Sequence, residues 1–174
     1  MTRVRSAVAI VVALMATIPV FAAAEHQVFF VVRHAERAAT NDPNATHRMM
    51  ADDPPLSAAG QARAARLATM LASAGIGQIY TTEFQRARQT AAPLADKLKI
   101  TPVMAAAKDP APLIRQLQQA KGNVLVVGHA NTIPDLLKKL GVKDTVTIAD
   151  DQYDDLFVVI RRVGEPPTLI RLKY

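Results

Sequence analysis

Along this chain the spacing of hydrophobic and polar positions switches repeatedly between strand-like and helix-like, and the switches mark out its elements. A nearly unbroken β-branched and aromatic run, His26–Arg33, predicts a strand covered on both faces of a mostly parallel sheet. Ser57 then reads as an N-cap ahead of a helix over 61–74, with Ala64, Leu67, Ala68 and Leu71 at helical spacing and Gly75 as the stop. Ile76–Thr82 predicts a short strand running into a helix over 83–98, in which Pro93 predicts a kink or a fresh turn. A weak strand near 100–104, a helix over 110–120, a clear strand Asn123–Gly128 and a helix over 133–140 ending at Gly141 follow. Asp155–Arg162 and Thr168–Lys173 are strand-like and joined by Gly164-Glu165-Pro166-Pro167, a hairpin. Strand and helix alternation ahead of that hairpin predicts α/β class: a three-layer α/β/α sandwich with a mostly parallel sheet and a C-terminal hairpin.

The first 24 residues stand apart from this pattern. Arg3 and Arg5 precede an apolar stretch from Ala7 to Val20 and the small-residue run Ala22-Ala23-Ala24, the layout of a secretory signal peptide cleaved after Ala24. The apolar core is short for a membrane span of about 20 residues, so an uncleaved anchor is the lesser alternative. The expectation is a periplasmic or secreted protein with no stable membrane insertion, in which residues 25–174 form one catalytic domain. Removing Arg3 and Arg5 lowers Lys+Arg from 21 to 19 against 15 Asp+Glu, so the net charge drops from +6 to +4. That mild excess permits an anionic ligand, but no basic block with interleaved aromatics points to nucleic acid. With no cysteine, disulfides, thiolate nucleophiles and cysteine-ligated metals are excluded. His26, His34, His47 and His129 show no metal-ligand spacing, so neither metal nor other cofactor is expected.

Chemistry concentrates at strand ends. In open α/β sheets ligands bind at the carboxyl ends of the strands, and here those ends carry Arg33-His34, Thr81-Thr82 with Arg86 a turn later, and Gly128-His129. Taken alone, Arg33-His34 is equally readable as a polar cap on a hydrophobic strand. Two imidazoles and two guanidiniums converging on one edge have the composition of a phosphate site. Arginine's planar fork matches tetrahedral oxyanions, so Arg33 and Arg86 are candidate clamps, and a neutral imidazole is a competent nucleophile. His34 is the candidate nucleophile and His129 the second imidazole on the transferred oxygens. Glu36 and Arg37 are further candidate substrate contacts; the alternatives for Glu36 are pairing with a pocket arginine to orient it or simple exposure, and for Arg37 and Arg88 surface solvation.

These segments resemble the histidine phosphatase superfamily, the phosphoglycerate mutase-like fold, in its small single-domain form. Arg33-His34-Ala35-Glu36 resembles its RHGE signature, Pro55-Leu56-Ser57-Ala58-Ala59-Gly60 its P-L-[ST]-x-x-G segment, the stretch from Thr81 to Ala91 its S-S-x-L-x-R-A-x-x-T-A segment, and Val126-Val127-Gly128-His129 its V-x-G-H segment. The resemblance implies a phosphoric monoester hydrolase, metal-independent, with His34 phosphorylated and Arg33, Arg86 and His129 completing the phosphate pocket. It implies a small phosphorylated substrate and leaves oligomeric state open.

The departures shape the expected chemistry. Ala35 stands where the family has glycine, and the polar residue expected about six positions after the nucleophile falls at Thr40 or Asn41. No glutamate occurs between Glu83 and Glu165, where many members carry their acid/base. Asp109 is a possible acid, though Asp-Pro also suits the start of a helix, and Asp52 and Asp53 are fallbacks. A proton donor typically contributes about 10²- to 10⁴-fold, so without one alkyl phosphates turn over slowly while good leaving groups suffer less. The expected function is phosphomonoester hydrolysis through phospho-His34. The alternatives are a non-catalytic envelope protein binding a phospho-ligand, a phosphohistidine-type protein phosphatase, or a mutase.

Overall fold

The computed structural model describes residues 26–39 and 53–174. The signal peptide read over 1–24 lies outside the described residues, as do Thr40, Asn41, His47 and Asp52.

Among the described residues six strands form one sheet: β1 (His26–Arg33), β2 (Ile76–Thr82), β3 (Val103–Ala105), β4 (Asn123–Gly128), β5 (Asp155–Arg162) and β6 (Thr168–Lys173). Their order is β3-β2-β4-β1-β5-β6. β1 to β4 run parallel, whereas β5 pairs antiparallel with both β1 and β6, so the predicted C-terminal hairpin forms one side of the sheet. Four helices among the described residues cover the faces: α1 (Ala58–Leu71), α2 (Gln85–Leu98), α3 (Ala111–Gln119) and α4 (Ile133–Lys139). Leu67, Leu71, Ala87 and Leu94 of α1 and α2 pack with Val32, Leu125 and Val127 on one face. Leu117 of α3 and Ile133, Leu136 and Leu137 of α4 pack with Phe29, Val31, Val124 and Val126 on the other. Alternate residues of β1 and β4 thus feed opposite cores, which is why both strands are apolar throughout.

Local chemistry sets the element ends. Ser57 Oγ accepts from Gly60 N at 3.1 Å and starts α1 three residues earlier than the apolar spacing suggests, because the first turn is built from the cap rather than from core contacts. Gly75, at φ +64°, supplies the left-handed turn that ends this hairpin-like passage into β2. Pro93 sits inside α2, which continues as one helix to Leu98. The weak strand is shorter and later than expected, three residues paired only with β2. Among the described residues no helix is long and apolar enough to cross a membrane.

Candidate active site

Pairing of β1 with β4 sets Arg33 opposite Gly128, and β2 pairs Thr81 with Val127, so three strands release their chains along one edge. The predicted quartet meets there. Arg33, His34, Arg86 and His129 are 8%, 5%, 7% and 7% exposed, unusual burial for such polar groups.

His34 leaves β1 with its amide donating to Gly128 O at 2.9 Å. Its Nδ1 lies 2.8 Å from Ala35 O, and a carbonyl can only accept, so Nδ1 carries the proton and Nε2 presents a lone pair. Arg86 Nε donates to that lone pair at 3.2 Å. Burial pushes the His34 pKa down from 6.5 to about 3, with the nearby His129, Arg86 and Arg33 charges acting in the same sense. His34 is therefore neutral at ordinary pH, as nucleophilic attack requires.

His129 ends β4 and faces His34 edge-on, ring centroids 5.1 Å apart, with Phe84 edge-on at 5.2 Å. Thr82 Oγ1 lies 2.8 Å from His129 Nε2, and the His129 amide donates to Thr132 Oγ1 at 3.1 Å, which fixes both ring and backbone. Burial lowers the His129 pKa to about 4, with Arg86 next in effect.

The two arginines complete a cationic pocket. Arg33 Nη1 donates to Ala149 O, Asp150 O and Gln152 O at 2.9, 3.0 and 3.0 Å, and its guanidinium carbon lies 4.0 Å from the Tyr153 ring centre. Arg33 Nε is buried and has no hydrogen-bond partner among the described residues. Arg86 lies 4.4 Å over Phe84 and 3.5 Å from an Asp53 carboxylate oxygen. Burial lowers both arginine pKa values, opposed chiefly by Tyr153 at Arg33 and by Asp53 at Arg86, and a guanidinium remains cationic regardless. A dianionic tetrahedral group would satisfy this arrangement.

The other expected contacts divide. Glu36, expected among the substrate-binding residues, is turned elsewhere: Arg63 Nε donates to both its carboxylate oxygens at 2.9 Å, and Arg63 Nη2 to Oε1 at 2.6 Å. Arg63 also donates to Tyr174 O at 2.8 Å, so the pair ties the turn after β1 to α1 and the end of β6 rather than to a ligand. Gly60 makes this packing possible, since a Cβ there would stand 2.1 Å from Glu36 O. Arg37 bridges to Leu56, and its charge depresses both Arg33 and Arg86, which places it beside the pocket. Asp109 is exposed and accepts from Ala111 N at 3.1 Å, the helix-start role.

Three side chains escaped sequence reasoning as site builders. Tyr153 stacks on Arg33 and stands 6.1 Å from the His34 ring. Because β5 runs antiparallel to β1, its beginning rather than its end reaches the active edge, and a search confined to strand carboxyl ends passes over it. Thr82 was visible as a strand-end polar residue without an assigned partner. Thr90, within the segment resembling the family's second arginine motif, accepts from Ala35 N at 2.9 Å and donates to Arg86 O at 2.7 Å, joining the two halves of the pocket.

Solved structures share this fold. The protein histidine phosphatase SixA, determined with tungstate, superposes with a TM-score of 0.64 at 18% identity, covering 84% of this chain and 96% of its own. A SixA-type protein from Agrobacterium tumefaciens gives 0.61 at 21% identity, covering 84% and 98%. A mycobacterial glucosyl-3-phosphoglycerate phosphatase gives 0.62 at 12% identity, covering 84% and 97%. At such identities the likeness is one of fold. No curated protein sequence matches the chain. Residues 29–108, which carry Arg33, His34 and Arg86, match the family model described as histidine phosphatase superfamily (branch 1).

Proposed function

We propose that this protein is an exported phosphatase that hydrolyses phosphomonoesters through a phosphohistidine on His34. The observation that carries the reading is the His34 tautomer: the Ala35 carbonyl holds the proton on Nδ1, and Nε2 presents its lone pair to Arg86. A phosphoryl group entering between Arg33 and Arg86 draws Arg86 Nε off Nε2. Nε2 then attacks phosphorus, the N–P bond forms, and the ester P–O bond breaks with its electron pair on the leaving oxygen. Water next attacks the phosphohistidine, the N–P electrons return to Nε2, and inorganic phosphate departs. Export rests on the sequence of residues 1–24 alone.

The test is a rapid-quench experiment with a ³²P-labelled aryl phosphate in EDTA. An acid-labile, base-stable phosphoenzyme is expected in the wild type and none in His34→Ala, whose kcat/KM falls by at least about a thousandfold. Full activity in His34→Ala, or loss of wild-type activity on EDTA alone, overturns the mechanism.

One observation favours a second reading. Arg86 Nε already occupies His34 Nε2, as it would in a protein that binds a phospho-ligand without turnover. Phosphate-dependent stabilisation with no labelled enzyme would establish that binder.

A further inference from the structure

A recess of about 300 Å³ opens beside the phosphoryl site and shares Arg86 and His129 with it. Phe84, Lys108 and Asn131 make up most of the rest of its lining. A group departing from phosphorus held between His34, Arg86 and His129 has this recess beside it.

Two properties of the recess bear on what departs. The first is charge: its lining offers the Arg86 and Lys108 cations and the Asn131 amide, and no carboxylate. Arg33 and Arg86 already match a phosphoryl dianion, and Arg37 beside the pocket adds a further positive charge, so Lys108 is surplus to a simple monoester.

The second is the commitment of the neighbouring acids. Asp53 accepts from Gln85 N through both carboxylate oxygens, at 2.8 and 2.9 Å, and lies 3.5 Å from Arg86 Nη1. Glu83 Oε2 accepts from Ala107 N at 2.9 Å, and Asp109 Oδ1 from Ala111 N at 3.1 Å. Asp53 and Asp109 are tied to amides outside the recess and Glu83 to the amide of Ala107 at its wall, and none of the three carboxylates is part of the lining. An alkoxide needs a proton as it leaves, whereas a phosphate, with a second pKa of about 6, departs as a stable anion.

Building on the phosphatase reading, we infer that the recess is a leaving-group subsite for a second phosphate, and that the preferred substrate class is a phosphoanhydride whose terminal phosphoryl group passes to His34. In the first step the His34 Nε2–P bond forms and the bridging P–O bond breaks. The electron pair stays on the bridging oxygen, which leaves within a phosphate anion received by Lys108 and Asn131. Water then cleaves the N–P bond, giving inorganic phosphate and releasing one proton to solvent. The whole reaction consumes one water and no other reactant.

The experiment compares kcat/KM for adenosine diphosphate, glycerol 3-phosphate and 4-nitrophenyl phosphate, in EDTA, for the wild type, Lys108→Ala, Lys108→Arg and Glu83→Gln. Adenosine diphosphate is expected to exceed glycerol 3-phosphate by about 100-fold, the lower range of what a missing proton donor costs. The ratio of kcat/KM for adenosine diphosphate over 4-nitrophenyl phosphate is expected to fall about tenfold in Lys108→Ala, as for loss of one charge-assisted hydrogen bond, and to recover in Lys108→Arg. Lys108 is exposed, so these variants fold. A ratio unchanged within about twofold overturns the inference. So does glycerol 3-phosphate turned over as fast as adenosine diphosphate with loss of that activity in Glu83→Gln, which would make Glu83 the proton donor. Hydrolysis of 4-nitrophenyl phosphate but not adenosine diphosphate sinks the anhydride alone. Absence of any hydrolysis sinks the phosphatase reading beneath it.

Discussion

The two sides of the proposed phosphoryl pocket hold the nitrogens of their arginines by opposite means. Arg33 is built in: three carbonyls of the 149–152 turn accept from one of its nitrogens, Tyr153 covers its face, and its buried Nε is unmatched among the described residues. Arg86 also lies over an aromatic ring, Phe84, but its nitrogens are held lightly, by a 3.2 Å contact to His34 and a 3.5 Å approach to Asp53, both of which a phosphoryl oxygen could replace. In the proposed reaction one side would present a fixed surface to phosphate, and the other would exchange its partners as phosphate arrived. Preorganised charge on the fixed side has no reorganisation to undergo at the moment of reaction, which is the condition under which such groups stabilise a transition state most.

The difference is broken most severely on the fixed side. Arg33→Ala is expected to lower kcat/KM on an aryl phosphate by about 10²- to 10³-fold, the range for removing one preorganised donor. Lysine does not rescue it, because a single ammonium cannot serve the three carbonyls and the phosphoryl group together. A loss under about tenfold in Arg33→Ala would show that the carbonyl cage matters little.

Between the two sides lie the imidazoles, and pH tests whether they are as enclosed as their contacts imply. Folded His34 and His129 have pKa values lowered to about 3 and about 4 by burial, against 6.5 in an open chain. The unfolded state thus binds more protons below pH 6.5, so stability is full above 6.5 and is lost as pH falls toward 4 and 3. At pH 5.5 the loss is about 1.4 kcal/mol per histidine relative to neutral pH. Urea unfolding at pH 7.5 and 5.5 measures it before carboxylates titrate, and His129→Asn should halve the difference. No difference between the two pH values would mean that water and protons reach the pair freely.

Tyr153 sharpens the comparison further. Tyr153→Ala exposes the face of Arg33 and is expected to lower kcat/KM about tenfold, mostly in kcat, as for loss of a desolvated cation–π contact. Tyr153→Phe keeps the ring and should recover most of the rate. Failure of phenylalanine to rescue would assign the work to the hydroxyl instead.

How this pocket was legible follows from strand direction. β1, β2 and β4 run parallel, so the residues just past their ends, Arg33-His34, Thr82 with Arg86, and His129, could be brought together from sequence once the strands were recognised. Tyr153 precedes a strand of opposite direction, and nothing local in Asp150-Asp151-Gln152-Tyr153 signals that three of the turn's carbonyls face an arginine 116 to 119 residues away. Glu36 failed for a related reason. Its neighbourhood in sequence is the active edge, but Gly60 lets α1 approach so closely that Arg63, one turn on, takes the carboxylate first. Asp53 was legible only as one more acid, since its partner amide at Gln85 is supplied by a helix start that sequence does not place beside it.

Asp53 is where the exchangeable side can be altered with the smallest and most telling effect. Its carboxylate does two things at once: it caps α2 at Gln85 N and it partly neutralises Arg86. Asp53→Asn keeps one acceptor for the amide but removes the charge that competes with phosphate for Arg86. The two consequences have opposite signs. Stability should drop by about 0.5–1 kcal/mol through the weakened cap, read from urea unfolding. Inorganic phosphate, measured as a competitive inhibitor, should bind about two- to threefold tighter, because a loosely held guanidinium is freed. Every substitution on the Arg33 side can only weaken phosphate. If Asp53→Asn also weakens it, Asp53 is aligning Arg86 for the ligand rather than contesting it, and both sides of the pocket are preorganised.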